Sequence, residues 1–295
     1  MPQRPSPFKK YTGPTELVAD VEHALQTLGD KLTLRQEICE THSVLLVENF
    51  GKRSCLEATA VYLVSAISQN IEANLQLREA LFDEDNFERD LGNDVKRVVG
   101  DSTVEDEFKT MVRDPWLWEG ISHMFVHLSR LNPAFHAVGE VLAKTSIKFD
   151  VRDHGLDMIG IYEGENFGLT AGECKAYLND PSRAITDATS KLGEVESNAR
   201  DIEVRAAVSQ LRPSISEDKQ RKIAGSFWNN ERSYYPFVCC DDQHVKKWTN
   251  KRKLMRAMEI PAEQKVLVPL AMRNARGKFD RLCELMRIYV AVEGD

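Results

Sequence analysis

Residues 153–162 read Asp-His-Gly-Leu-Asp-Met-Ile-Gly-Ile-Tyr, and residues 169–177 read Leu-Thr-Ala-Gly-Glu-Cys-Lys-Ala-Tyr. The apolar run in the first stretch predicts a strand over Met158–Glu163, and the second stretch predicts another over Phe167–Tyr177. The Gly-Glu-Asn segment between them is typical of a tight turn. The two stretches therefore indicate a β-hairpin, with an acidic residue, Asp157, where the chain enters it.

Three polar residues of this hairpin are predicted to meet. Side chains alternate across a strand, so Glu173 and Lys175 share one face while Cys174 points to the other. If the two strands pair, Asp157 can reach Glu173. Two carboxylates and one lysine then converge at one end of a sheet.

Such a set suits the hydrolysis of phosphodiesters. A hard divalent cation, Mg²⁺ or Mn²⁺, takes carboxylate oxygens, and we expect Asp157 and Glu173 to bind it. Lys175 would orient or deprotonate the attacking water, helped by a pKa lowered through burial and neighbouring charge, or stabilise the transition state as a cation. A Glu-x-Lys pair alone is weak evidence, since a surface ion pair explains it equally well. The Asp residue sixteen positions upstream of Glu173 is what favours the catalytic interpretation.

Patterns on both sides of the hairpin predict an α/β fold. Periodic apolar residues predict helices over much of 15–130, over Phe135–Lys144, after Asp180-Pro181-Ser182, over Glu203–Leu211 and over most of 244–292. Further strands are predicted over Ser146–Val151 and Tyr234–Cys240, the latter near a sheet edge because of Pro236.

The segment from Asp157 to Lys175 resembles the core of the PD-(D/E)xK nucleases, although Leu156 stands where the motif has Pro. Within that superfamily, Asp-His-Gly-Leu-Asp followed by Gly-Glu-Cys-Lys looks most like the HamA-type nuclease subunits of Hachiman anti-phage systems and of other helicase-linked defence pairs. The resemblance covers roughly residues 135–195. It implies a restriction-endonuclease-like mixed sheet flanked by helices, DNA as substrate and a helicase subunit as partner.

The helical pattern and the acidic charge of the first part predict a division of the chain, and the resemblance implies further site residues. A mainly helical, partner-binding region would cover residues 1–130, and a nuclease domain with a basic C-terminal helical part would cover residues 131–295. An acid from the helix before the first strand often completes the metal site of these nucleases, and Glu140 is the candidate, with a solvated helix residue as the alternative. The helix after the Glu-x-Lys strand lines the DNA cleft, where Lys191 is a candidate, or else it forms a surface ion pair with Asp187.

The distribution of charge adds a second candidate surface. The net charge is −7, but residues 201–295 hold 18 basic and 13 acidic side chains and are therefore net positive. Residues 244–256 contain six basic side chains around a tryptophan and no acid, which predicts contact with nucleic-acid phosphates, or alternatively a solvated face or a surface for an acidic partner. The candidates are Lys246, Lys247, Trp248, Lys251, Arg252, Lys253 and Arg256.

Other classes of protein find little support. The sequence has no Gly-x-x-x-x-Gly-Lys-Ser/Thr phosphate loop and no Gly-x-Ser-x-Gly elbow, which argues against an NTPase and a serine hydrolase. No apolar run approaches the ~20 residues that span a bilayer, and the six cysteines lack a disulfide framework, so we expect a cytoplasmic protein without a membrane partner. Two alternatives to a nuclease stay open: a non-catalytic subunit that keeps the fold to bind DNA or a helicase, and a structural protein whose Glu-x-Lys is a surface pair.

Overall fold

The structure, a computed structural model, describes residues 11, 14–72, 87–129, 131, 139–148, 155–226, 231–244 and 247–290. Its centre is a seven-stranded mixed sheet with the order β1-β2-β7-β6-β5-β4-β3. The strands are β1 (Thr33–Ile38), β2 (Ser43–Glu48), β3 (Glu140–Lys144), β4 (Met158–Glu163), β5 (Phe167–Ala176), β6 (Arg232–Asp241) and β7 (Val266–Met272).

Helices flank the sheet. They are α1 (Pro14–Lys31), α2 (Arg53–Glu72), α3 (Phe87–Val99), α4 (Asp114–Leu128), α5 (Pro181–Glu196), α6 (Asp201–Leu211), α7 (Glu217–Ser226), α8 (Lys253–Ala257) and α9 (Ala275–Tyr289). A short helical turn and a π-helical segment, Lys109–Arg113, lead directly into α4. Among the described residues, no helix combines the length and the apolar character needed to cross a membrane.

The strand directions fix where functional side chains can meet. Strands β3, β4 and β5 form an antiparallel meander, whereas β5, β6, β7 and β2 run parallel to one another. The carboxyl ends of β5, β6 and β7 therefore share one edge of the sheet, and the start of β4 lies beside the end of β5. Ligands of α/β sheets commonly bind outside such carboxyl ends.

The hairpin and the helix after it follow the sequence prediction. Strand β4 has the predicted bounds, β5 ends one residue earlier than predicted, and the amide of Gly164 donates to the main-chain oxygen of Asn166 in the turn. Helix α5 begins with Pro181 in its first turn, and the side chain of Asp180 caps it by accepting from the amide of Arg183 over 3.1 Å. The α/β class and the mixed sheet flanked by helices are confirmed.

The elements just before the hairpin were predicted wrongly. Glu140–Lys144 belongs to strand β3 rather than to a helix, because its side chains alternate between half-buried and buried and its backbone pairs with β4. Residues 145–148 form no strand, and residues 132–138 and 149–154 lie outside the described residues. Pairing with a neighbouring strand overrides the helical pattern here.

Both ends of the chain contribute strands that the sequence prediction missed. The region before residue 130 is not all helical, since β1 and β2 extend the central sheet. Residues 244–292 are interrupted by β7, which pairs with both β2 and β6. Strand β6 is central rather than near an edge: it pairs with both β5 and β7 although Pro236 lacks an amide, and its residues 233–240 are buried on both faces.

Two apolar cores lie on opposite faces of the sheet. On one face, α1, α2, α4 and α9 pack together against the strands. On the other, α5 packs on β5 and β6, and α6 packs on β4. The end of β5 is thereby held between α4 and α5, so each helix can bring side chains to it.

Candidate active site

Strand β5 places Glu173 and Lys175 on the face that α5 covers. Glu173 is fully buried, and the side chain of Lys175 is 23% exposed. The Nζ of Lys175 donates to Oε1 of Glu173 over 2.5 Å. The Glu-x-Lys pair is therefore an internal contact, which argues against the surface ion pair that stood as its alternative.

A second lysine reaches the same carboxylate from α5. The Nζ of Lys191 lies 3.1 Å from Oε1 of Glu173 and donates to the main-chain oxygen of Gly155 over 2.8 Å. The alternative surface pair with Asp187 does not form, because Asp187 pairs with Arg183 at 3.6 Å. Lys191 thus connects Glu173 to the turn that leads into β4.

Asp157 completes the predicted trio. It directly precedes β4, and since Met158 pairs with Gly172, Asp157 comes beside Glu173. Its Oδ2 accepts a hydrogen bond from the amide of Cys174 over 2.7 Å. The structure therefore brings together the three residues that the sequence predicted to meet.

Burial and the charges of the cluster together determine the pKa values of Glu173 and Lys175, and both are raised. Burial raises the pKa of Glu173, and the charge of Asp157 adds to the rise, although Lys175 and Lys191 oppose it. Burial lowers the pKa of Lys175, but the charges of Glu173 and Asp157 outweigh it, and the pKa ends above its usual value. The expected lowering of the Lys175 pKa is therefore wrong for this structure: the carboxylates hold the lysine as a cation.

The two carboxylate oxygens of Glu173 differ in their contacts. Within the described part of the chain, Oε2 of Glu173 is buried and has no hydrogen-bond partner, while both lysines contact Oε1. Leaving a buried charged acceptor unsatisfied costs about 1–3 kcal/mol or more. A cation between this oxygen and Asp157 would remove the cost, so these residues fit a divalent metal.

The third acid near the cluster is Glu119 of α4, which the sequence prediction missed. Its Oε1 accepts from the amide of Lys148 over 3.1 Å. Burial, together with the charges of Asp157 and Glu173, raises its pKa to about 8. Glu119 therefore shares the electrostatic field of the two predicted carboxylates.

The expected third acid, Glu140, lies elsewhere. It starts β3 and pairs with Glu163 at the far end of β4, five residues from the Met158 end. At about 3.3 Å per residue, this separates it from the cluster by roughly 17 Å. In the part of the chain that the structure describes, the last helix before the meander is α4, which carries Glu119.

The sequence of helix α4 contains a pattern from which Glu119 could have been predicted as a site residue. The helix is buried on nearly all sides, with apolar residues around its circumference. Glu119 and His123 lie four residues apart on it and therefore on one face. A buried acid on such a helix requires a partner, which marks it as a candidate for a site.

His123 fixes the backbone at Asp157. Its ring is fully buried, Nε2 lies 3.1 Å from the main-chain oxygen of Asp157, and Nδ1 lies 3.1 Å from Nζ of Lys144. Burial keeps the pKa of His123 well below its usual value, so the ring is neutral. The contacts assign the proton to Nε2, which donates to Asp157, while Nδ1 accepts from the Lys144 ammonium.

The carboxylates do not form a closed ligand shell. In the described ranges, no group of three or more His, Cys, Asp or Glu side chains is close enough to hold a metal ion. Magnesium is commonly bound through only one or two carboxylates while it keeps several waters. Asp157 and Glu173 can supply that pair.

The basic tract of residues 247–256 packs onto the turn between β1 and β2. Lys251 and Arg256 both pair with Glu40, at 2.5 and 2.7 Å, and the main-chain oxygen of Trp248 lies 3.0 Å from Nε2 of His42. That turn precedes β2 and lies at the sheet edge opposite the carboxyl end of β5. The contacts with Glu40 and His42 therefore anchor the tract at this opposite edge.

The other residues of the tract differ in exposure. Lys247 and Lys253 are exposed, whereas Arg252 is half-buried and its amide donates to Oγ1 of Thr41 over 3.3 Å. Trp248 is half-buried and packs against an apolar cluster between α5 and the sheet, so part of its side chain is already covered. Lys246, like Asp153 and His154 of the motif, lies outside the described residues.

Comparison with known proteins adds no residue assignment to this geometry. Scanned against protein-family models, the chain matches none. No curated protein matches it in sequence. The chemistry of the site therefore follows from its own residues: two adjacent carboxylates able to hold a hard cation, a third acid in their field, and two ammonium groups beside them.

Proposed function

We propose that the chain is a metal-dependent nuclease that hydrolyses DNA phosphodiester bonds at Asp157, Glu173 and Lys175. The observation that carries the proposal is the unpartnered, buried Oε2 of Glu173 beside Asp157. Helix α4, the meander β3–β5, helix α5 and the parallel strand β6 also agree with the restriction-endonuclease-like fold that the resemblance implies. Both features favour a site built for a cation and a phosphate.

Each residue has a chemical role in this proposal. Asp157 and Glu173 would hold Mg²⁺ or Mn²⁺, which supplies Lewis acidity and lowers the pKa of bound water when present. Lys175, kept as an ammonium, orients the attacking water and contributes positive charge where the phosphorane develops. Lys191 adds a second ammonium on the same side. Glu119, whose pKa of about 8 leaves it largely protonated at neutral pH, would release its proton when a cation binds and so strengthen retention of that cation.

The test is degradation of supercoiled plasmid in the presence of Mg²⁺ or Mn²⁺. Glu173→Gln and Lys175→Ala should each lose cleavage by at least about a hundredfold, since each removes a metal ligand or a transition-state cation. Thermal melts beside the assay show whether the variants fold. Cleavage at the wild-type rate by both folded variants would overturn the assignment.

A non-catalytic subunit that binds DNA or a helicase is the second candidate. It is favoured by the two lysines that already pair with Glu173 and by a basic tract that is anchored at the opposite edge of the sheet. Such a protein would bind DNA with no cleavage under any divalent cation. Binding without cleavage, in the presence of any required partner, would therefore select it.

A helicase partner in anti-phage defence is proposed from the family resemblance and from the missing phosphate loop. A net charge of −7 also disfavours tight capture of DNA by this chain alone. Co-expression with the product of a neighbouring gene, followed by size-exclusion chromatography and cleavage assays, tests this. A chain that elutes alone, and cuts equally well with and without that product, would contradict it.

A further inference from the structure

A cavity of about 610 Å³ opens at the carboxyl ends of β5 and β6, next to the candidate active site. Its floor is the loop Ala176–Asp180, which begins directly after Lys175. Its walls come from the start of α5, the end of β6, the start of α9 and the segment before α4. The volume lies within the range of about 300–1,000 Å³ that small-molecule pockets occupy.

Three carboxylates line the cavity, but each is already engaged by the protein. Asp180 caps α5. Asp241 accepts from the amides at the start of α9, over 3.3 and 3.4 Å. Asp114 pairs with the buried Arg113 at 2.7 Å. The charge of Asp114 is therefore offset by a cation, while Asp180 and Asp241 are held by backbone amides.

Two guanidinium groups face the same cavity, and the ion pairs that they form with carboxylates are long. Arg183 lies 3.6 Å from Asp187, and its side chain is 71% exposed. Arg276 lies 3.7 Å from Asp114 and 4.0 Å from Asp106, and it donates to Oγ1 of Thr110 over 2.9 Å. Planar guanidiniums bind phosphate oxygens in a bidentate manner, and these two retain donors for that purpose.

The cavity also contains a planar aromatic–guanidinium pair and a side-chain amide. The guanidinium of Arg183 lies 5.6 Å from the centre of the Tyr177 ring, which holds its plane in place. Bases stack readily on aromatic rings and on guanidinium planes. The side chain of Asn179 lines the cavity and is exposed, so it can hydrogen-bond a base edge.

The position of the cavity relative to Lys175 determines which part of a DNA strand can enter the cavity. Tyr177 is two residues beyond Lys175, about 6–7 Å along the chain. Neighbouring phosphates of a DNA strand are separated by about 3.4 Å along the helix axis and by more when the strand is extended. A strand whose scissile phosphate contacts Lys175 would therefore carry a neighbouring nucleotide over the cavity.

We propose that this cavity binds a nucleotide adjoining the scissile phosphate, and that the substrate is consequently DNA that is locally unpaired. The proposal rests on the proposed nuclease function and names its substrate class. A concave site of this size accepts a splayed base, whereas a base held in a duplex stack cannot enter it. Arg276 and Arg183 contact phosphate, and the Tyr177–Arg183 pair supports the base.

The experiment measures binding of fluorescent ten-nucleotide DNA, single-stranded or as a blunt duplex, to the full chain carrying Lys175→Ala. Further substitution of Arg183→Ala or Arg276→Ala should weaken single-strand binding by about tenfold or more, because each removes a charge-assisted hydrogen bond to phosphate. The control is Arg281→Ala, which removes an arginine of α9 that pairs with Glu284 outside the cavity. It should bind like the parent, and the parent should prefer the single strand.

The outcomes separate this proposal from the proposed nuclease. Equal single-strand affinity of the Arg183→Ala, Arg276→Ala and Arg281→Ala proteins would overturn the cavity assignment, even if the wild-type chain cleaves DNA. Equal affinity of the parent for duplex and single strand would overturn it as well. Arginine-dependent binding in a wild-type chain that never cleaves would support the cavity and reject the nuclease. Because Arg276 also contacts Thr110, the highly exposed Arg183 serves as the variant that leaves the fold intact.

Discussion

The buried ring of His123 contacts the main-chain oxygen of Asp157 through Nε2, over 3.1 Å, and does so as a neutral imidazole. A neutral donor holds the backbone in place without adding a positive charge to the site that we propose binds a cation. The second ring nitrogen is fixed by Lys144, so the whole chain of contacts runs from β3 through α4 to Asp157. We infer that His123 positions Asp157 rather than binding the metal.

We predict that His123→Leu weakens Mn²⁺ binding by about tenfold or more, the range typical when a group that orients a metal ligand is removed. Isothermal titration calorimetry measures the affinity. The His123→Gln variant can still donate a hydrogen bond from its side-chain amide, and it should therefore retain part of the Mn²⁺ affinity. A His123→Leu protein that is folded and binds Mn²⁺ as the wild type does would show that this hydrogen bond is structural only.

Glu119 lies near the cluster of Asp157 and Glu173, whereas Glu140 lies far from it. Substitutions of these two acids therefore form a matched pair of variants. Glu119→Gln keeps an acceptor for the amide of Lys148 and replaces a buried carboxyl whose ionisation is disfavoured by burial and by Asp157 and Glu173. The metal-free protein should therefore melt at the same or a higher temperature, while the stabilisation by Mn²⁺ should shrink. Glu140→Gln should change neither quantity.

Melting curves with and without Mn²⁺ test this pair. If Glu140→Gln reduced the Mn²⁺-dependent shift and Glu119→Gln did not, the placement of the third acid on α4 would be wrong.

The basic tract gives a prediction about DNA affinity. Lys247 and Lys253 are exposed, whereas Lys251 is engaged by Glu40. Replacing both Lys247 and Lys253 with Glu should weaken DNA binding and flatten its dependence on salt, by about one unit of slope for each phosphate that is no longer neutralised. Lys251→Glu should have the smaller effect on the slope, because part of its charge is compensated already.

The readout is DNA affinity at several salt concentrations. An unchanged slope in the double variant would assign the tract to solvent or to a protein partner.

The local hairpin was predictable because its determinants are local. The alternation around Glu173 and the turn at Gly164 fix β4 and β5 within a few residues, and the convergence of Asp157 with Glu173 and Lys175 follows from that pairing. The capped start of α5 at Asp180 is equally local.

What the sequence prediction missed depends on distant pairing. The strand at Glu140 exists because β4 pairs with it, and β7 exists as a central strand between β2 and β6, which lie far from it along the chain. The apolar pattern of α4 marks Glu119 as a buried acid, but its contribution to the cluster required knowing that α4 packs against β5. The rise in the pKa of Lys175 similarly depends on the summed charges of a folded cluster.

The most direct measurement is anomalous scattering from a crystal soaked in Mn²⁺. The account predicts an anomalous peak within about 2.0–2.4 Å of carboxylate oxygens of both Asp157 and Glu173, with Oε2 of Glu173 as a ligand. The same peak should be missing in Glu173→Gln crystals soaked in parallel. Manganese bound elsewhere in the wild-type protein, with these two carboxylates free of it at saturating concentration, would contradict the account.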